Sequence, residues 1–291
     1  MPLWFIYLIS DFFYVIIFYL FPYRKNVVLK NLSQSFPNLS EQELKKIRRK
    51  FYRYFVSLFA ESIKNLYISE KNLRSRMVVK NPELMDKLFQ EGKSVILLSS
   101  HYNNWEFLIT SQSLLFKHKA IGIGSPLSNK FWDAKMTERR ERFGMTVVHA
   151  NNYKESLNAS TAIPTATLVL GDQSPGKDEN CYWTTFLNQP TAFFFGAEFM
   201  ANEFDMAVVC VAIKKVKRGK YELELELLTD KPRQEKYGFV TDAYIRNLEA
   251  SIEKKPEYWL WSHKRWKKSI PENLQEIKDN HKARFVKRFR S

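Results

Sequence analysis

Cysteine is scarce in this chain of 291 residues: Cys181 and Cys210 stand far apart, with no CxxC and no His/Cys cluster at metal-ligand spacing. That excludes a disulfide framework, argues for reduced thiols facing the cytoplasm, and offers no zinc site. Neither a GxxxxGK loop nor a GxGxxG turn is present, so no nucleotide cofactor is indicated, and a reaction that needs no cofactor or metal fits the residues. No repeat or long low-complexity linker interrupts the chain, which makes one core the simpler arrangement. Acidic residues are the minority. The 31 Asp+Glu against 46 Lys+Arg leave a formal charge of +15, which favours an acidic partner: nucleic acid, an anionic membrane or an acidic carrier protein. Aromatic residues, by contrast, are abundant at 15%. The 23 Phe gather in hydrophobic clusters rather than between basic residues, and no zinc-finger, RNA-recognition or helix-turn-helix signature occurs. A membrane is therefore the expected partner and nucleic acid is not.

Leu3 to Phe21 is almost wholly apolar apart from Ser10 and Asp11, and Pro22-Tyr23-Arg24-Lys25 follows. Its length approaches that of a spanning helix, but Asp11 near the centre would cost about 2.5–3.5 kcal/mol in hydrocarbon. With no basic start and no small-residue cleavage site, the segment reads as an uncleaved anchor, interfacial or re-entrant, with Trp4, Tyr7, Tyr14, Tyr19 and Tyr23 as interface anchors. An amphipathic helix packed on the domain is the alternative. Arg24, Lys25 and Lys30 would mark the cytoplasmic side. The division is then 1–23, a membrane anchor segment, and 24–291, a single catalytic domain.

Ser40-Glu41-Gln42-Glu43 is a capping box, and Leu44, Ile47, Phe51, Phe55 and Leu58 continue from it at helical spacing, with basic residues elsewhere on the cylinder. After this helix, short apolar runs over 94–100, 120–124, 146–149, 166–171 and 207–213 read as strands, and 221–228 alternates like a half-exposed antiparallel one. Helical stretches over 105–116, 129–143 and 191–203 separate them. The expected class is α/β, a mixed and mostly parallel sheet flanked by helices, with the hydrophobic N-terminal helix appended. Ligands collect outside the carboxyl ends of such strands. His101 follows one strand end and Asp172 another, so the two are expected to share a cleft.

His101-Tyr102-Asn103-Asn104-Trp105-Glu106 puts a base and a carboxylate directly after the first of these strands. A neutral imidazole can take a proton from an alcohol near pH 7, and a carboxylate can hold its tautomer. Residues five apart on one helix point about 140° away from each other, so His101 belongs on the turn and Glu106 in the first helical turn behind it. Arg139 and Arg142 can clamp a phosphate or an oxyanion, or serve as surface ion-pair partners. Asp172-Gln173 can position an acceptor, or cap a turn. The Trp-rich, basic run Tyr258–Lys267 suits a membrane interface or ordinary packing.

In order along the chain, these segments resemble the bacterial late acyltransferases of lipid A biosynthesis, within the lysophospholipid acyltransferase superfamily. The resemblance rests on Arg24 followed by Asn31-Leu32-Ser33-Gln34-Ser35-Phe36-Pro37, on the HX4(D/E) signature at His101 and Glu106 with Asn104-Trp105, on Arg139 through Gly144, on Asp172-Gln173 and on Tyr258 through Lys267. It implies an acyltransferase of the bacterial inner membrane, its catalytic domain facing the cytoplasm, with His101 as general base and Glu106 orienting it. It also implies substrate contacts from Asn104, Arg139, Arg142, Asp172 and Gln173. The donor would be an acyl thioester of acyl carrier protein or CoA, and the acceptor a lipid hydroxyl, most simply that of a lipid A precursor. The chain departs from the pattern at Ser174-Pro175, where these enzymes commonly carry a second acidic residue. That keeps lysophospholipid and aminolipid acceptors in view. A non-catalytic lipid-binding protein would use the same basic, aromatic surface, and a hydrolase the same base.

Overall fold

The computed structural model describes residues 3–21, 23–126, 129–158, 162–176 and 180–290, so Met1, Pro2 and Pro22 of the 1–23 segment lie outside the described residues. The apolar N-terminal run forms α1 (Leu3–Val15), which passes into a π-helical turn over Ile16–Leu20. α2 (Lys25–Ser35) follows, and the capping box opens α3 (Glu41–Asn65): the Ser40 amide donates to Glu43 Oε2 at 2.9 Å and the Glu43 amide to Ser40 Oγ at 3.4 Å. Then come α4 (Glu70–Arg74), β1 (Met77–Val79), α5 (Glu83–Gln90), β2 (Val95–Ser99), α6 (Trp105–Leu115), β3 (Lys119–Gly124), α7 (Lys130–Glu141), β4 (Thr146–His149), α8 (Tyr153–Asn158) and β5 (Thr165–Leu170). A hairpin of β6 (Cys181–Phe186) and β7 (Gln189–Phe194) leads into α9 (Gly196–Phe204), and β8 (Ala207–Lys217), β9 (Lys220–Thr229), α10 (Phe239–Lys254) and α11 (Leu274–Phe289) complete the chain.

Seven strands form one sheet in the order β1-β9-β8-β2-β5-β3-β4. β8, β2, β5, β3 and β4 are parallel; β9 is antiparallel to β8 and pairs in parallel with β1. The central strand β2 is buried along its whole length, as a parallel strand covered on both faces by helices must be. Its residues alternate between two cores: Ile96 and Leu98 pack toward α9, α10 and the C-terminal tail, Val95 and Leu97 toward α5 and α6.

The expected helix over 191–203 is corrected: Thr191–Phe194 belong to β7, and the helix starts only at Gly196. The turn joining β6 to β7 uses Leu187 and Asn188 at φ 47° and 64°. Positive φ at both central residues suits a tight hairpin, but with no glycine there the sequence hides it. At Gly238 the φ of 84° does fall on glycine, and a Cβ there would lie 2.6 Å from the Tyr182 hydroxyl. Gly238→Ala should therefore cost at least about 1–2 kcal/mol, the left-handed penalty alone, and a thermal unfolding midpoint equal to wild type would contradict this.

The N-terminal helix packs on α3, and its polar residues turn inward. Tyr7 is buried and donates to Glu61 Oε1 at 2.7 Å, so it is not an interface anchor. Asp11 meets Arg218 in two contacts of 2.8 and 3.0 Å at the β8–β9 turn. The opposite face exposes Phe5, Leu8, Ile9, Phe12 and Phe13. The tail run is likewise not an interface segment: Trp259, Trp261 and Arg265 are buried. Arg265 donates to Ala192 O and lies over the Phe193 ring, its centroid 4.4 Å away. Two widely separated segments meet here, since Arg24 donates to Ser262 O, and Asn31 to both Trp261 O and His263 O.

Candidate active site

His101 sits on the turn between β2 and α6, and the residues after it fix that turn. Asn103 takes φ 57°, a left-handed conformation that Asn tolerates, and its Nδ2 donates to Ile213 O at 2.7 Å. The tail lies across the turn: the Asn103 amide donates to Tyr258 O at 3.0 Å and Tyr102 pairs with Trp259. Asn104 caps α6 by accepting the Phe107 amide at 2.9 Å, while its Nδ2 donates to Glu61 Oε2 at 2.6 Å. Glu61 is fully buried and also accepts from the hydroxyls of Tyr7 and Tyr221, each at 2.7 Å.

The parallel pairing of β2 with β5 sets Ser99 beside Leu170, so the loops beyond these ends deliver His101 and Asp172 to the same place. His101 Nδ1 lies 2.7 Å from Asp172 Oδ1. Asp172 Oδ2 accepts the His101 amide at 3.0 Å and the Trp259 indole N–H at 2.8 Å. Burial by itself would raise the Asp172 carboxyl, but the charge of His101 and the N–H donors of His101 and Trp259 outweigh it, and the net shift is downward. An ionised Asp172 accepts Nδ1–H, which makes His101 Nε2 the acceptor nitrogen of the ring. Gln173 Nε2 stands 3.0 Å from that nitrogen, donating where a substrate hydroxyl would arrive. The Trp105 ring packs edge-on against the imidazole at 4.9 Å.

The carboxylate that meets the His101 ring is Asp172. Glu106 is in the first turn of α6 as anticipated, but no hydrogen bond among the described residues joins it to the imidazole; its Oε2 is held by Arg139 and its Oε1 accepts from Arg140 Nη2 at 3.0 Å. Burial pushes the Glu106 carboxyl up, yet the charges of Arg139, Arg140 and His101 prevail and keep it below its ordinary range. Arg139 is buried in this pair, so it is not open to substrate. Arg142 is exposed, donates to Leu66 O at 3.2 Å, and is not among the residues lining the cavity. Asn104 has no exposed surface and is held between the cap of α6 and Glu61.

A cavity of about 430 Å³ opens at His101. Its walls are mostly aliphatic, among them Ile109, Ile123, Met145 and Leu168, with Arg140 and Gln173 contributing polar groups. Arg140, which sequence reasoning passed over for its neighbours, is the guanidinium of this helix that faces the cavity. The three arginines at the end of α7 and just past it look alike in sequence, and only the packing of the helix on α6 separates them. His263, also missed, accepts the Ser174 amide at 3.2 Å; burial lowers it to about 4, so it is neutral at pH 7 and fixes the loop after Gln173. The W-x-H spacing of the tail was its only signal.

Among curated proteins none matches the chain. The model of the bacterial lipid A biosynthesis acyltransferase family matches residues 1–268, from α1 through the tail that covers His101. With so much of its length matched, and with a histidine–carboxylate pair opening on an apolar cavity, the chain belongs to the bacterial lipid A biosynthesis acyltransferase family and is an acyltransferase.

Proposed function

We propose that the protein moves a fatty acyl chain from the thioester of an acyl carrier protein to a hydroxyl of a lipid acceptor, a lipid A precursor. The observation that carries this reading is the contact between His101 Nδ1 and Asp172 at 2.7 Å, which leaves Nε2 beside Gln173, both residues lining the aliphatic cavity. In the reaction His101 Nε2 takes the acceptor's hydroxyl proton as its oxygen attacks the thioester carbonyl carbon. The tetrahedral intermediate collapses with cleavage of the C–S bond, and the departing sulfur receives the proton from the imidazolium. An ester and a free thiol result. No acyl-enzyme is required, because the acceptor is held beside a good leaving group.

Asp172 keeps the tautomer and stabilises the imidazolium, and Gln173 places the acceptor. Arg140 stabilises the oxyanion or contacts a phosphate of the substrate, while Glu106 and Arg139 hold Arg140 and the start of α6. The acyl chain occupies the aliphatic cavity. At Gly122 a Cβ would come within 2.9 Å of Met145 Sδ, so Gly122→Val should shift the preferred donor to shorter chains; an unchanged chain-length profile would count against this placement.

The domain reaches its lipid substrate by lying on the cytoplasmic side of the inner membrane. Among the described residues no single helix is long and apolar enough to cross a bilayer, and only the pair Phe5–Leu20 and Lys25–Ser35, bent by 84°, passes by length and composition. The exposed face of α1 then lies in the interface as the anchor of residues 1–23, with 24–291 as the catalytic domain. Incubation with labelled acyl carrier protein, with and without lipid acceptor, tests the function. Acceptor-dependent transfer is expected; release of free fatty acid alone would make the protein a hydrolase, and neither product would leave a lipid-binding protein.

A further inference from the structure

The C-terminal helix α11 begins at Leu274, beyond the residues that the family model matches. From Asn280 onward it carries Lys282, Arg284, Lys287 and Arg288 and no acidic residue. One face is fixed to the domain. Phe285 packs against the rings of Phe195 and Tyr237 with centroids 5.6 and 5.4 Å away, and the Tyr237 hydroxyl lies 2.5 Å from His281 Nδ1. With His281 and Phe285 buried, all four basic residues are exposed, and of them Arg288 is paired with Glu203 at 2.6 Å, while Lys282, Arg284 and Lys287 are the other positive charges of this stretch.

This helix forms a wall of a second, open cavity of about 710 Å³, with Phe199 and Lys154 across from Arg284, Lys287 and Arg288. Tyr153 and Gly196 line both this cavity and the one at His101. The basic groove and the reaction centre are thus neighbours, separated by the start of α9.

We propose that α11 and the groove beside it are the docking surface for the donor: an acidic carrier protein whose acylated pantetheine arm enters past Tyr153 and Gly196 toward His101. This rests on the reading of the protein as a thioester-using acyltransferase. Charge complementarity selects the occupant. The basic side chains run from Lys282 to Arg288 on α11 and continue across the groove at Lys154 on α8, a spread over two helices that fits a protein face better than the phosphates of CoA. A membrane is disfavoured by position: α8, which supplies Tyr153 and Lys154, follows the edge strand β4, whereas α1 touches the β8–β9 turn near the other side of the sheet.

The test is the exposed pair Lys282→Glu with Lys287→Glu in the full chain, with circular dichroism confirming the fold. Carrier-protein binding read by fluorescence anisotropy should weaken roughly tenfold, and the wild-type salt dependence should flatten. In transfer assays KM for acyl carrier protein should rise by about the same factor at constant kcat, with acyl-pantetheine unaffected. Unchanged carrier affinity overturns the proposal. So does an equal rise in KM for acyl-CoA, which would assign the groove to nucleotide phosphates, or loss of binding to anionic vesicles with carrier affinity intact, which would assign it to lipid. Wild-type protein that binds the carrier through these lysines yet transfers from no thioester would refute the acyltransfer reading while upholding the docking face.

Discussion

His101→Ala is expected to lower acyl transfer by about 10²–10⁴-fold, the usual contribution of a positioned general base, without unfolding the protein. The side chain is partly exposed, and Asp172 keeps the Trp259 indole and the backbone amide of residue 101 as donors. Asp172→Asn should also cost about 10²-fold or more, because an amide facing Nδ1 no longer selects the tautomer with a free Nε2 lone pair. Initial rates with acyl carrier protein, alongside circular dichroism of each variant, provide the measurement. A fully active Asp172→Asn would return the orienting role to Glu106, and a fully active His101→Ala would remove base catalysis from the mechanism.

Glu106→Ala is expected to act on stability first. Removing the carboxylate leaves Arg139 buried without its counter-ion and deprives Arg140 of its partner; breaking one side of a buried pair costs on the order of 3–5 kcal/mol. Denaturant unfolding reads this directly, and a loss below about 1 kcal/mol, the scale of exposed pairs, would show that the cluster is solvated in solution. The pH dependence follows from the sign of the shift. The folded carboxyl lies below its ordinary 4.5, so its stabilisation is present above that value and is lost as the pH falls through the lower folded value. Glu106→Gln should therefore flatten the acid limb of the stability profile.

Much of the architecture is legible in the sequence. The run Ser94–Ser100 is too continuously apolar for a strand with a wet face, and β2 is indeed central and buried. Ser40 and Glu43 announce the start of α3 three residues apart, because the capping box is local chemistry. The β6–β7 hairpin is not legible, since Leu187 and Asn188 take left-handed conformations without glycine and the aromatic residues around them fit either period. For the same reason Glu61 escapes notice: on α3 it reads as one more charged residue, yet it is fully buried and joins α1, β9 and the cap of α6 through three donors.

The sequence by itself determined that a histidine stands at the end of a buried strand, that a carboxylate follows it on the next helix, and that Asp172 stands at another strand end. These are consequences of local periodicity and of where parallel strands stop. Which carboxylate meets the imidazole was decided by tertiary structure. The β2–β5 register sets Asp172 against Nδ1, and the packing of α7 on α6 gives Glu106 to Arg139 and Arg140. Both carboxylates are buried, and each needs its own donors to stay ionised away from water. Only the three-dimensional arrangement of those donors separates their roles.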